Sequence, residues 1–585
     1  MFRENKQHQQ SGFFNSELLM PDKMRRRLQD SWAHIFRTEV FMRIPEDRFA
    51  VLYSQSDSRP NAPVNVLVGG DMLKDGFGWT DEELERHLQF DLQTRYALGL
   101  DDLSQSVPTL RTFQNHRRRV REHAEEVGEN LYEVVFQVVT DEQIEQLKVK
   151  VDWQRMDSTQ LLSNIALGSR LELLLRVLQQ GVGALSEERQ ASWQQEQAAY
   201  VGKSPRHICY RLKSEEVPDY LLQTGKLLLA LLRELEAEAN PEADKARAMV
   251  ARVLREQYQI EEGERITLRE AKEVAADSLQ SPYDPEATYR EKNGERYRGY
   301  VANISETCNP ENPVQLITSV QTAGNNTDDS DLLAQSLDEQ AERGHKIKKM
   351  TVDGGYTGPK AEEACAVHNT ELHPSRLRGG KSRGKKWGVE KYSWQLAEDG
   401  VTKQVVCPQG QSAVLEAGRK EGRWLARFEN AACAACPFFQ KQCRVAPRRH
   451  SGPTLLVTTR SIQVAVLRQR ITDKNNGVRA GVEATVRSLK NPFAASKLPV
   501  RRLFRAQMVV LGAALLVNVH RLTHYYLKQA SQLDKNASGA FILSLFLLLI
   551  ARITAVFHRQ SAIFERKPVF QPMPPDYIIS QPIDG

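Results

Sequence analysis

The chain has 585 residues and a formal net charge of +6 at pH 7. This length exceeds what one hydrophobic core supports, so we expect about two to four domains. The small cationic excess permits a polyanionic partner without identifying one. Residues 1–16 are polar and lack the apolar stretch of a secretion signal. We therefore expect a cytoplasmic, reducing setting, in which grouped cysteines bind metal more often than they form disulfides.

The amino-terminal part of the chain predicts an irregular arm (1–65) followed by a helical unit (66–145). A capping-box pattern at Thr80 starts one helix, and a second helix is predicted to begin near Thr109. A helix rich in arginine suits the groove of duplex DNA, although a solvated charged helix has the same composition. The arginines of this second helix are Arg111, Arg117, Arg118, Arg119 and Arg121.

The central part of the chain predicts a mixed α/β core, placed at residues 146–373 and 471–527. Alternating apolar residues form a strand that ends near Asp157, and strands around an amphipathic helix lead to Asp353. Residues 160–278 are predicted to be helical and carry no chemical motif. We interpret them as an insertion packed on the core, or as a surface for DNA or another subunit.

Residues 374–470 interrupt the core pattern with a basic loop and a group of cysteines. The cysteine spacing is C-x25-C-x2-C-x6-C, which allows a tetrahedral structural Zn²⁺ site, with unliganded cysteines as the alternative. The four candidate ligands are Cys407, Cys433, Cys436 and Cys443. The basic loop before them suits phosphate contacts, and a merely solvated loop is the alternative. Its cations are Arg376, Arg378, Lys381, Arg383, Lys385 and Lys386.

The carboxyl-terminal part (528–585) predicts one apolar helix and an irregular proline-rich tail. Its apolar run, 540–551, is shorter than the roughly 20 residues needed to span a bilayer. We expect a buried or interfacial helix and no membrane partner.

Three carboxylates occupy positions suited to a cation. Asp157 lies within or at the end of the first core strand, and Asp353 ends a later strand directly before two glycines that permit a ligand to approach the backbone closely. Glu483 lies on a helix whose other face is apolar, and three cations lie at helical spacing on the same face as Glu483. These cations are Arg479, Arg487 and Lys490. The alternative for this helix is a surface ladder of salt bridges.

Carboxylates that converge in this way suit phosphodiester chemistry. Two Mg²⁺ ions about 3.5–4 Å apart activate an attacking hydroxyl and stabilise the leaving oxygen. Mg²⁺ prefers hard oxygen ligands, and we expect Mn²⁺ to substitute for it. This chemistry requires no covalent nucleophile on the enzyme.

These motifs resemble those of the DDE transposases of bacterial insertion sequences. The sequences MDST around Asp157 and VDGGYTG around Asp353 are similar to the two aspartate motifs of that family, and YRGYV (297–301) to the strand between them. The Tyr-x2-Arg-x3-Glu-x6-Lys signature is matched by Arg479, Glu483 and Lys490. Asn476 stands at the tyrosine position. The segment from GWTDEELERHLQF to VPTLRTFQNHRRR is similar to the helical amino-terminal domain of these enzymes.

The resemblance implies an RNase-H-like catalytic core in which Asp157, Asp353 and Glu483 meet around two Mg²⁺ ions. It also implies binding of terminal inverted repeats, strand cleavage by water, and strand transfer by the freed 3′-hydroxyl. Because two transposon ends must be joined in one event, we expect a homodimer on double-stranded DNA in the bacterial nucleoid. We expect DNA contacts from Arg117, Arg118, Arg119, Arg376, Arg378, Lys381, Arg479, Arg487 and Lys490.

Two other functions remain open at this point. An RNase-H-like nuclease would cut DNA without joining it, and an inactive derivative would keep only the recognition of DNA ends. Intact carboxylates at the three positions argue against the inactive derivative, whereas Asn476 argues for it.

Overall fold

The computed structural model describes residues 1–9, 15–54, 56, 60–166, 168–261, 265–292, 294–377, 386–396, 402–448, 452–471 and 473–536. The chain divides into two compact units, Met1–Thr523 and His524–Gly585. The predicted apolar helix at 540–551 lies outside the described residues.

The amino-terminal part of the first unit is helical. Its helices are α1 (Ser16–Leu19), α2 (Asp22–Gln29), α3 (Trp32–Glu39), α4 (Val64–Phe77), α5 (Asp81–Phe90), α6 (Leu92–Ala97), α7 (Leu110–Val127) and α8 (Leu131–Leu147). The predicted capping box is present, because Thr80 and Glu83 each accept from the other's backbone N–H.

Before residue 66, where an irregular arm with some local structure was expected, the structure has three short helices, α1, α2 and α3. These helices have four to eight residues, too few turns to produce a clear apolar period. They are nevertheless anchored, since Ala33 and Phe36 are buried and the Ser31 side chain caps α3.

A six-stranded mixed sheet forms the centre of the first unit. Its strands are β1 (Trp153–Leu162), β4 (Thr288–Lys292), β5 (Glu295–Thr307), β6 (Ile317–Gly324), β7 (Lys349–Val352) and β8 (Glu371–Pro374). Strand β1 is parallel to β7, which is parallel to β8, while β5 is antiparallel to β1, β4 and β6. Two helices lie between the last strands, α15 (Asp329–Glu342) and α16 (Pro359–Val367).

A helical segment connects β1 to β4 and has its own apolar core. It contains α9 (Arg170–Val182), α10 (Glu187–Glu196), α11 (Ala198–Val201), α12 (Pro205–Arg211), α13 (Val217–Glu236), α14 (Pro241–Gln257), and the short antiparallel pair β2 (Tyr258–Ile260) and β3 (Ile266–Leu268). Leu174, Leu228, Leu231 and Val250 are fully buried in that core. Within the predicted stretch, 160–278, helices therefore extend from Arg170 to Gln257, and strand residues of β1, β2 and β3 lie on either side of them.

A second six-stranded sheet follows β8, in the order β13-β14-β12-β11-β10-β9. Its strands are β9 (Ser393–Leu396), β10 (Thr402–Val406), β11 (Ser412–Ala417), β12 (Arg423–Arg427), β13 (Ala446–Arg448) and β14 (Gly452–Thr458), with helix α17 (Asn430–Ala434) before β13. This sheet occupies the part of the chain that carries the cysteine group.

Three helices return the chain to the central sheet: α18 (Thr459–Gln469), α19 (Asp473–Lys490) and α20 (Leu503–Asn536). Helix α19 contacts β1 and β7. Helix α20 meets α4 where two glycines face each other, since a Cβ on Gly76 would lie 2.9 Å from the Gly512 carbonyl oxygen. Glycine at both positions permits this close approach.

Part of α20, Leu503–Ser531, is long and apolar enough to cross a membrane by length and composition. Its apolar window is 67% buried by the protein. The Asn518 side chain is buried and bonds to both the backbone N–H and the carbonyl of Ile317. These contacts are those of a core helix.

Candidate active site

Asp157 and Asp353 lie at neighbouring positions of two parallel strands. Arg155 of β1 pairs with Thr351 of β7, and each aspartate follows its paired residue by two positions. Because adjacent strands lie about 4.8 Å apart, the same register brings the two carboxylates to the same edge of the sheet. The sequence predicted Asp157 within or at the end of its strand and Asp353 at the end of its strand; in the structure Asp157 lies within β1 and Asp353 directly follows β7. The pairing explains how they meet.

The turn after β7 fixes the Asp353 side chain. Asp353 caps a short 3-10 helix at Gly354–Tyr356, and its Oδ1 accepts from the Gly354 N–H at 2.7 Å. The Arg376 Nε lies 3.4 Å from the same oxygen, on a side chain that is 73% exposed. One cation of the predicted basic loop therefore lies beside this aspartate.

Helix α19 is attached to β1 on both sides of Glu483. The Arg155 Nη1 donates to the Val478 carbonyl at 3.0 Å, and the Lys490 Nζ donates to the Thr159 hydroxyl at 3.1 Å. Burial lowers the pKa of Lys490 from its usual value. The signature lysine therefore holds the end of the helix against the first strand.

Arg479 joins the carboxylates of two distant segments. Its Nη2 lies 2.9 Å from the Glu483 Oε1 and 3.8 Å from the Asp353 Oδ2. The two oxygens can be no farther apart than the sum of these distances, which is well under a nanometre. The Arg479 Nε is buried and has no hydrogen-bond partner among the described residues.

The acidity of Asp157 is perturbed by its burial. Burial raises its pKa to about 6, while the Ser158 N–H and the Arg479 charge lower it and the Asp353 charge raises it. The Ser158 N–H donates to the Asp157 Oδ1 at 2.9 Å. Desolvation of this carboxylate therefore exceeds the compensation that its neighbours supply.

The carboxylate set has the chemistry that a divalent cation requires. Asp157, Asp353 and Glu483 offer hard oxygen donors, and Arg479 supplies positive charge among them. Within the described part of the chain, no three His, Cys, Asp or Glu side chains are grouped closely enough to hold a metal ion. The three carboxylates are donors of the kind that Mg²⁺ prefers, but they do not form a ligand set in this arrangement, in which Arg479 contacts both Asp353 and Glu483.

The other predicted DNA contacts differ in accessibility. Arg487 is exposed on α19, and Arg118 and Arg119 are exposed on α7. The side chain of Asn476 lies outside the described residues, as do Arg378, Lys381, Arg383 and Lys385.

Arg117 belongs to the interior of the helical unit, and its prediction as a DNA contact needs correction. Its Nη2 lies 2.5 Å from the Asp71 Oδ1, and its Nη1 donates to the Asp81 carboxylate at 2.8 Å. The Tyr132 hydroxyl donates to the other Asp71 oxygen at 2.5 Å. The sequence shows three adjacent arginines, but helical geometry turns this one inward.

The four grouped cysteines line one cavity of about 220 Å³ in the cysteine-bearing sheet. Burial, together with the charges of the other three thiols, raises the pKa of Cys433 to about 11. The Cys443 Sγ also lies 3.4 Å from the Tyr392 hydroxyl. The three remaining cysteines, Cys209, Cys308 and Cys365, do not line this cavity.

A buried ion network beneath α19 was not predicted from the sequence. The Glu306 side chain is completely buried and contacts Arg155, Thr485 and Arg521. A glutamate within an apolar strand was the available signal, but its partners come from three other elements.

Two family models match the chain. The transposase domain (DUF772) matches residues 24–119, and the transposase DDE domain matches residues 264–519. Together they cover more than half of the chain, and Asp157 lies between them while Asp353 and Glu483 lie in the second. Neither the curated proteins nor the solved structures contain a match to this chain.

Proposed function

The chain belongs to the DDE transposases, and on that premise we propose that it binds the terminal inverted repeats of an insertion sequence, cleaves the DNA there and transfers the cut strand to a target. The observation that carries this proposal is the convergence of Asp353 and Glu483 on Arg479, beside Asp157.

We propose that the catalytic core is RNase-H-like. The support is the strand order β5-β1-β7-β8, in which β5 also pairs with β6 and β4. Strand β5 is antiparallel to β6 and β1, whereas β1, β7 and β8 are parallel to one another. In this sheet Asp157, within β1, lies level with Asp353 at the carboxyl end of β7. The helical segment after β1 and the cysteine-bearing sheet after β8 would then be insertions in this core.

Asp157, Asp353 and Glu483 would hold Mg²⁺, or Mn²⁺ in its place. When bound, two such ions activate the attacking hydroxyl and stabilise the leaving oxygen of an in-line displacement. The protein's own part is to fix three carboxylates by strand register, by the Gly354 N–H and by α19. Arg479, once released from the carboxylates, is placed to contact a DNA phosphate, as are the exposed Arg376 and Arg487.

Helix α7 would provide DNA contacts in the helical unit. Its solvent face carries Arg111, Gln114, Asn115 and Arg118, side-chain types that bind guanine and adenine edges in the major groove. No carboxylate occurs in α7 before Glu122, so the amino-terminal half of the helix presents no charge that repels phosphate. A charged helix that only contacts water is not expected to lack carboxylates in one half in this way.

The cysteine group would hold a structural Zn²⁺ ion. Four thiols around one cavity supply the ligands of a closed tetrahedral site, which leaves no position for catalysis. The proposed role is to stabilise the cysteine-bearing sheet. Because two ends must be joined, we further propose that a homodimer assembles on DNA in the cytoplasm.

One experiment separates this function from its two alternatives. The purified protein is incubated with duplexes that end in the inverted repeats flanking its gene, with a supercoiled target plasmid and Mg²⁺. A transposase produces 3′-hydroxyl ends and then target joints, whereas a nuclease produces ends alone. Binding without cleavage would identify an inactive derivative and contradict the proposal.

A further inference from the structure

The side chain of Glu306, at the end of β5, is enclosed by partners from three other elements. Its Oε1 accepts from the Arg155 Nε at 2.6 Å, and its Oε2 accepts from the Thr485 hydroxyl at 2.8 Å. The Arg521 Nη2 lies 2.7 Å from the same Oε2. Thus one buried carboxylate connects β5 to β1, α19 and α20.

The same network determines how closely α19 approaches the sheet. A Cβ on Gly481 would lie 1.9 Å from the Arg155 Nη1, so the guanidinium occupies the space that any larger residue would need. Arg155 also donates to the Val478 carbonyl at 3.0 Å. Gly481 and Thr485 therefore form a face of α19 that rests on the Arg155–Glu306 pair.

This contact face lies directly beside the proposed catalytic residues along the chain. On β1, Arg155 precedes Asp157 by two residues and points to the same side of the strand. On α19, Glu483 lies between Gly481 and Thr485. A shift of α19 against Arg155 would therefore move Glu483 relative to Asp157 and Asp353.

A buried ion network is a costly way to attach a helix, because the desolvation of its charges offsets much of their attraction. Apolar side chains would provide the same adhesion without this cost. Directional hydrogen bonds, in addition, fix the rotation of α19 about its axis and its height above the sheet. A catalytic carboxylate must be held within about 0.5 Å of its working position, so a fixed rotation and height of α19 would serve the proposed metal site.

We propose that Glu306 is a positioning residue that, through Arg155, Thr485 and Arg521, sets the position of Glu483 in the metal site. This inference rests on the proposed function, since it concerns the same site. Glu306 itself is not a metal ligand, because its oxygens are already occupied by these partners. The network acts on metal affinity and not only on stability.

The test measures metal binding directly, without DNA. Thr485→Val keeps the shape of the residue and removes the hydroxyl that donates to Glu306, and Glu306→Gln removes the charge. Mn²⁺ binding to the full-length protein is followed by electron paramagnetic resonance. We expect the Mn²⁺ dissociation constant of each variant to rise by about fivefold or more, as for other residues that orient metal ligands.

Cleavage provides a second measurement on the same proteins. The Mg²⁺ concentration that gives half-maximal cleavage should rise in parallel with the Mn²⁺ constant, and saturating Mg²⁺ should restore much of the rate. Asp101→Asn is the control, because it weakens a partly buried ion pair with Arg37 (2.6 Å) far from α19 along the chain. Its metal affinity should equal that of the unmodified protein.

Each outcome decides the inference. Folded Thr485→Val protein with unchanged Mn²⁺ affinity overturns it, even if Glu306→Gln fails to fold. An equal loss of Mn²⁺ affinity in the Asp101→Asn control also overturns it, since the effect would then follow from a general loss of stability. Unmodified protein that neither binds Mn²⁺ nor cleaves DNA contradicts the proposed function itself, whereas unmodified activity with unaffected variants contradicts only the positioning role.

Discussion

Asp353 and Glu483, which are far apart along the chain, both contact the Nη2 nitrogen of Arg479, at 3.8 and 2.9 Å. On the proposed function, Arg479 would have two roles, as a partner of these carboxylates and, once Mg²⁺ takes its place, as a contact of a DNA phosphate.

Replacement of Arg479 should separate metal binding from cleavage. In Arg479→Gln the cation that competes for Asp353 and Glu483 is absent, so Mn²⁺ should bind at least as tightly as to the unmodified protein. Cleavage of end DNA should fall by about 100-fold, because a phosphate contact is lost. Arg487→Gln, an exposed cation on the same helix, should leave Mn²⁺ affinity unchanged. Weaker Mn²⁺ binding in Arg479→Gln would contradict the proposal that metal binding displaces the Arg479 side chain.

Two adjacent arginines of α7 should behave in opposite ways. Arg118→Ala should weaken binding to end DNA while the free energy of unfolding stays within about 0.5 kcal/mol of the original, since its side chain is 59% exposed. Arg117→Ala should lower the free energy of unfolding by about 3–5 kcal/mol, because Asp71 would remain buried without its partner. Denaturant unfolding and electrophoretic mobility shifts measure the two effects. Similar stability loss in both variants would contradict the assignment of Arg117 to the interior.

The sequence identifies candidate site residues, whose catalytic role stays a prediction, but not their contacts. A strand near Asp157, a strand end at Asp353 and the charged face of the helix around Glu483 follow from local periodicity. The register of β1 against β7, and the turn of Arg117 toward Asp71, depend on elements distant in the chain. Glu306 shows the same limit, since its role is visible only when four elements meet around it.

The amino-terminal arm illustrates a different limit. The helices α1 to α3 are so short that apolar residues such as Ala33 and Phe36 recur too few times to reveal a period. Their stability comes from burial against the helical unit and from caps such as Ser31, which sequence periodicity does not report.

His116 should make the helical unit sensitive to acid. Burial lowers its pKa to about 4, with Arg117 and Arg119 lowering it and Asp71 raising it. Below a pH of about 6.5 the unfolded chain binds a proton that the folded protein does not, so stability falls as the pH decreases from 6.5 toward 4. The full loss is about 3 kcal/mol for this group.

The comparison with His116→Phe isolates this titration, because all other groups are common to both proteins. The unfolding free energy of the unmodified protein minus that of the variant should decrease by more than about 1 kcal/mol between pH 7 and pH 5. Urea unfolding at the two pH values measures it. A difference that does not depend on pH would show that His116 titrates normally.

Zinc content tests the cysteine group. We expect one Zn²⁺ per chain by elemental analysis, and Cys433→Ser should lose it together with the protease resistance of the cysteine-bearing sheet. Cys365→Ser, a buried cysteine that does not line the cavity, should retain both. Metal-free protein in which that sheet resists proteolysis as well as before would contradict a structural zinc site.

The most direct test of the three-carboxylate site is cleavage by Asp353→Asn protein, which keeps the size of the side chain and removes its charge. End DNA is supplied with Mg²⁺, and both binding and nicking are measured on the same samples. We expect binding within about twofold of the original and nicking reduced by about 1000-fold or more. Nicking by Asp353→Asn at the original rate would contradict the assignment of this carboxylate to catalysis.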